Sequence, residues 1–167
     1  MEINDEAWKS LGEAQELFFD EPPDYEGAAD LFERVRASYS DWAEVHGWLG
    51  STYAMLGDEA RAAAAWQDAH RLDPRDARPL ISFGVLLTRQ RQFEEAISLL
   101  EQGVALKPHY GFADARLFLA EAYEGSGQLE KAKEQWREVL NLEPMYPSDD
   151  APMKEAQQKL SEYGELV

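Results

Sequence analysis

Small and bulky apolar residues recur along this chain at helical spacing, separated by polar stretches. The fullest instance is residues 43–76: Leu49, Gly50 and Tyr53, then Gly57, then Ala62, Trp66 and Ala69, closed by Pro74. Steps of three or four residues place side chains on one face of a helix. The same frame fits residues 77–110 and 113–146. Its small position holds Gly50, Gly84 and Ala120, followed one turn on by Tyr53, Leu87 and Tyr123. A second small position holds Ala62, Ala96 and Ala132, followed by Trp66, Leu100 and Trp136, then Ala69, Gly103 and Val139. The pattern predicts two helices per unit, a tight turn at Gly57, Arg91 and Gly127, and a stop at Pro74, Pro108 and Pro144.

Pro74 and Pro108 lie 34 residues apart. A fixed period of that length marks a solenoid, in which each helix pair buries its apolar face only against its neighbours. The residue types have mechanical reasons. A glycine or alanine lets two helices approach closely, and a tyrosine or tryptophan fills the space one turn along. Glycine at the turn adopts the left-handed conformation that ends a helix. Proline lacks an N–H and disfavours helix in the residue before it. Arg91 in a turn that prefers glycine, and Gly103 inside a helix, each soften the middle unit by up to about 1 kcal/mol.

The flanks follow the same logic. Trp8, Leu11, Ala14, Leu17 and Phe18 show helical spacing over residues 5–20, after a cap at Asn4 or Asp5. Asp20–Asp24 reads as a loop, and Tyr25-Glu26-Gly27-Ala28 with Phe32 and Val35 opens a second helix. Near the end, Ser148–Tyr163 reads as a helix capped by Ser148 or Asp149, with Met153, Ala156, Leu160 and Tyr163 along one side.

Taken together, these positions resemble the tetratricopeptide repeat, a pair of antiparallel helices. The likeness implies an all-α fold, a right-handed superhelical solenoid forming one domain over residues 1–167. Residues 5–40 stand as a degenerate N-terminal repeat, residues 43–76, 77–110 and 113–146 as three full repeats, and residues 148–164 as a capping helix.

In that family the first helix of each unit lines a concave groove. The resemblance carries its exposed positions onto Glu44, Trp48 and Ser51, onto Arg78, Ile81, Ser82 and Val85, and onto Asp114, Leu117, Phe118, Glu121 and Glu124. It implies an apolar floor at Ile81, Val85 and Leu117, with acidic shoulders at Glu44, Asp114, Glu121 and Glu124. Trp48 and Phe118 either join that floor or pack against neighbouring helices. Such a groove suits a protein or peptide segment with apolar anchors and basic flanks. Members that hold an acidic chaperone tail do so with Lys, Arg and Asn. Gly47, Ser51, Ser82, Asp114 and Phe118 stand at those places here, so that ligand is not expected. The implied role is an interaction module: an adaptor, assembly factor or scaffold subunit. The alternative is a dedicated chaperone holding an aggregation-prone client, such as a secretion-system chaperone.

Composition narrows the partner. The 167 residues are 44% hydrophobic and carry a net charge of −17. Residues 1–42 alone hold 12 acidic against 3 basic side chains. Such a surface repels phosphate, which argues against nucleic acid and anionic membrane and favours a basic partner. Cysteine is absent, the N-terminus carries Glu2, Asp5 and Glu6 where a signal peptide would be basic, and the longest apolar stretch, Leu80–Leu87, is too short to span a membrane. A cytoplasmic location is expected, the alternative being a periplasmic or lipid-anchored parent. Catalysis is not expected either. His46, His70 and His109 are far apart in the frame and form no i, i+4 pair of the kind that binds zinc. Glu124-Gly125-Ser126-Gly127 superficially resembles a nucleophile turn, but no strand precedes it. No catalytic residue, metal site or cofactor is therefore assigned.

Overall fold

The computed structural model describes residues 3–106, 113–142 and 150–165, and among these the chain forms only helices, turns and loops. In chain order they are α1 (Asp5–Phe19), α2 (Tyr25–Ser38), α3 (Ala43–Met55), α4 (Glu59–Leu72) and α5 (Arg78–Arg89). There follow α6 (Phe93–Leu106), α7 (Ala113–Gly125), α8 (Leu129–Leu140) and α9 (Ala151–Glu162). Contacts divide the chain into two compact units, residues 1–82 and 83–167, the division falling within α5.

Helix starts are set by side chains that accept from otherwise unpaired backbone N–H groups. Asn4 accepts from the Ala7 N–H at 2.9 Å, Asp24 from Gly27 at 2.8 Å and Asp58 from Arg61 at 3.0 Å. Helix α4 stops at Leu72 with Asp73 as its C-cap, directly before Pro74. Pro108 and Pro144 lie outside the described residues, as do His109, Ser148 and Asp149. The described N-cap of α9 is Asp150, one or two residues after the expected cap at Ser148 or Asp149. The three repeat turns share one conformation, with φ of 77° at Gly57, 80° at Gly127 and 61° at Arg91.

In unit 1 the core contains Leu11, Phe32, Val45, Leu49 and Trp66, each at most 4% exposed. A Cβ built on Gly50 would lie 2.4 Å from the Trp66 indole, so the ring lies directly on the backbone of α3. The small-then-large spacing is thus a contact between paired helices. Unit 2 repeats the device: a Cβ at Gly84 would meet Leu100 at 2.6 Å, and Ala120 is fully buried in the same core as Trp136. A second device recurs as well. The Tyr53 hydroxyl donates to Glu33 on α2, and the Tyr123 hydroxyl donates to Glu101 on α6. Burial, reinforced by the adjacent carboxylate, raises both phenols above their ordinary pKa. Leu87, at the third tyrosine position, carries no hydroxyl.

Helix α9 closes unit 2. Ala156 and Leu160 are buried, and the Tyr163 ring stacks on Trp136 with centroids 5.8 Å apart and planes 15° from parallel. Lys159 pairs with Glu124 of α7 at 3.0 Å, and Glu165 pairs with Lys133 of α8 at 3.1 Å and with Arg137.

Candidate protein-binding surface

In unit 1 the face of α3 carries Glu44, Gly47, Trp48 and Ser51 within two turns, beside the first turn of α5. Between them lies a cavity of about 220 Å³. Five of the positions expected to bind a partner, Glu44, Trp48, Ser51, Arg78 and Ser82, line it together. Trp66 and Pro79 line it too, although the sequence pointed to Trp66 only as a packing residue. The indole does both: it is 4% exposed, pressed on Gly50, and still borders the cavity.

Charge in this cavity is uneven. Asp76 accepts from the Arg78 backbone N–H at 3.0 Å and pairs with its guanidinium at 2.8 Å. That pair satisfies its own charge and holds Arg78 protonated. Glu44 is half-buried and makes no hydrogen bond or ion pair among the described residues, although Arg78 lies within its field. Glu44 and Asp76 thus share one guanidinium, which leaves the cavity lining net negative on otherwise largely apolar walls.

Trp48 has two roles where the sequence left one to be chosen. It stacks on Phe32 at 6.0 Å and 10°, with Phe18 and Phe19 edge-on at 5.6 and 5.7 Å, and its remaining surface borders the cavity. Next to it stands a surface that the sequence reading assigned to no site. Phe19 is 69% exposed, and Trp8, edge-on to Trp42 at 4.5 Å, is 49% exposed. Their signal was the i, i+11 spacing on α1, which returns to the same helical face.

Ile81 and Val85 are half-buried one turn apart on α5, on either side of the division between the units. In unit 2, Asp114 and Glu121 are exposed on α7, and Phe118 is half-buried with the Arg89 guanidinium 5.9 Å from its ring centre. Two expectations are corrected here. Leu117, expected to be an open floor residue, is only 8% exposed. Glu124, expected to be a free acidic shoulder, is engaged by Lys159 and by the Tyr163 hydroxyl. Glu124 is engaged because α9 lies alongside this end of α7, and Leu117, Glu121, Glu124, Glu155 and Lys159 border the cleft left between the two helices.

His46 is structural in its surroundings. His46 is buried, its Nε2 donating to the Ser40 carbonyl at 2.8 Å and its Nδ1 lying 3.9 Å from Asp68. Among the described residues no cluster of three or more His, Cys, Asp or Glu side chains is arranged to hold a metal ion. No described helix is long and apolar enough to cross a membrane.

Paired helices with small-residue notches, glycine-type turns and an apolar cleft on the first helices define a helical repeat protein of the interaction class. Models of the tetratricopeptide repeat match residues 24–77 and 87–160, and the chain belongs to that family. Similar solved structures include MamA residues 41–end from Desulfovibrio magneticus RS-1, at 22% identity and TM-score 0.78, covering 98% of this chain and 89% of that one. Another is YrrB, described as a TPR protein with an unusual peptide-binding site, at 22% identity and TM-score 0.71, covering 91% of this chain and 74% of that one. These likenesses show the all-α solenoid fold. The Arabidopsis thaliana protein CTR9 homolog is 31% identical over 114 residues, 65% of this chain and 10% of that protein. The chain thus spans about a tenth of that relative's length. Tetratricopeptide repeats serve as protein–protein interaction modules, and the fold is typically non-catalytic.

Proposed function

We propose that this protein binds a polypeptide partner through the first-helix faces of its repeats, taking a segment with apolar anchors flanked by lysine or arginine. The supporting observation is the cavity of unit 1, where five frame-derived positions meet around two indoles and a net negative lining in which Glu44 and Asp76 share the Arg78 guanidinium. Apolar walls retain an anchor by excluding water, and a net negative lining favours a cation beside it. Within unit 2, Asp114, Phe118 and Glu121 on α7 are proposed as a binding face in their own right, and Ile81 and Val85 on α5 as further binding positions. The role is that of an adaptor or assembly factor, not an enzyme, and a cytoplasmic location goes with it.

Affinity capture from cell extract, repeated with Trp48→Ala and Glu44→Lys, tests the reading. Both variants are expected to lose the partner that the wild type retains, with far-ultraviolet circular dichroism unchanged. Retention of that partner by both variants would place binding on another surface. The chaperone alternative is separated by the captured protein itself: a client is insoluble when expressed alone, whereas an adaptor bridges two soluble proteins.

A further inference from the structure

Glycine is the poorest helix former after proline, so each glycine inside a helix calls for a reason. Most have one here. Gly50, Gly84 and Gly125 sit where a Cβ would strike Trp66, Leu100 and Phe93, and Gly27 lies under the capping carboxylate of Asp24. Gly12 on α1 and Gly47 on α3 have neither a packing neighbour nor a turn to serve. A Cβ built on either would meet nothing within 4 Å. Both therefore leave open space above a helix backbone.

Their surroundings give that space a purpose. Trp8, Gly12 and Phe19 fall at i, i+4 and i+11, one stripe of α1, and both aromatic rings are exposed. Trp8 meets Trp42 at the start of α3, and Phe19 meets Trp48 farther along it, so aromatic side chains of α1 reach α3 at two places within unit 1. Gly47 adjoins Trp48 and shares a face with Glu44 and Ser51 on the wall of the 220 Å³ cavity. A cavity of about 150 Å³ accommodates a benzene ring, so this one has room for a single bulky apolar side chain.

We propose that the open face of α1 and α3 is a docking track for a partner segment whose backbone passes over Gly12 and Gly47. One bulky apolar side chain enters the Trp48–Trp66 cavity, and an adjacent lysine or arginine pairs with Glu44. The occupant is basic because the two carboxylates lining the site, Glu44 and Asp76, share the single guanidinium of Arg78, and Glu44 is the one that Arg78 does not hold by a hydrogen bond. This rests on the function proposed above and adds three things: α1 as part of the surface, the glycines as its clearance, and the pairing of anchor and cation.

The test uses the full chain and three short Gly/Ser-flanked peptides with cores Lys-Phe-Lys, Glu-Phe-Glu and Lys-Ala-Lys, followed by chemical shifts of the Gly12 and Gly47 amides and the tryptophan indoles. The Lys-Phe-Lys peptide is expected to shift these signals, with the other two at least ~5-fold weaker. Gly12→Leu combined with Gly47→Leu should weaken that binding ~10-fold or more while raising Tm by ~2–4 °C per site, since leucine is the better helix former. A stabilised variant that has lost binding separates a clearance role from misfolding. Equal response to all three peptides, or wild-type binding by the double variant, would overturn the proposal. So would glycine shifts that depend on protein concentration without peptide, since a second copy would then be the occupant. Shifts confined to Asp114 and Glu121 of α7 would overturn this track and leave the broader function standing, whereas capture of the cellular partner by Trp48→Ala and Glu44→Lys as by wild type would remove both.

Discussion

Arg91 occupies a left-handed turn position whose two counterparts are glycines. A side chain there costs about 1–2 kcal/mol of backbone energy. Part of that is recovered, because the guanidinium lies 5.5 Å from the centre of the Phe93 ring, a contact worth about 0.5–1 kcal/mol at an exposed site. Phe93 is itself fixed by packing on Gly125. The two magnitudes do not quite cancel, so Arg91→Gly is expected to stabilise the protein by roughly 0.5–1 kcal/mol. Urea denaturation measures this directly. A loss of stability would mean that the cation–ring contact outweighs the backbone cost.

Helix α9 is held by carboxylates as well as by Ala156 and Leu160. Burial alone would raise the pKa of Glu124, but hydrogen bonds from Tyr163 and Lys159 outweigh it and hold the carboxyl below its ordinary value. Glu165 is held low by Arg137 and Lys133. A carboxyl depressed in the folded state contributes stability above its unfolded pKa, about 4.3 for glutamate, and that contribution disappears as pH falls through the folded value. Acid should therefore release α9 below about pH 4, before full unfolding, with loss of the Tyr163–Trp136 stack. Near-ultraviolet circular dichroism between pH 6 and 2 follows it, and Glu124→Gln should flatten the transition. A transition unaltered by that substitution would assign the hold to apolar packing alone.

The chain as a whole carries −17 charges with a pI near 4.4, concentrated toward its N-terminal third. Charge of this size acts on encounter more than on the lifetime of a complex. Raising ionic strength from 0.01 to 0.15 M shortens the screening length from about 30 to about 8 Å. Association with a basic partner should then slow by roughly tenfold, with dissociation little changed. Stopped-flow mixing with the Lys-Phe-Lys peptide or the captured partner measures it. A salt-independent rate would restrict the acidity to a role in solubility.

The period, the turns and the small-then-large pairs could all be read from the sequence because each depends on spacing within one or two helices. Gly50 and Trp66 announce a close helix approach wherever the rest of the chain goes, and Pro74 stops a helix on local sterics. Access to solvent does not depend on spacing alone. Glu124 and Asp114 look alike on α7 until Lys159 and Tyr163 arrive from α9 and engage only one of them. Trp48 looked like either floor or core until Phe18, Phe19 and Phe32, supplied by α1 and α2, covered part of the ring and left the rest open. Gly12 was a silent residue, and Gly47 stood out only as a place where a family ligand residue is missing, because a missing Cβ acquires meaning only from what does or does not lie above it. Local backbone preference and helical periodicity set the fold from the sequence, while the surface left free for a partner is what remains after distant segments have packed, and only the tertiary structure decides that.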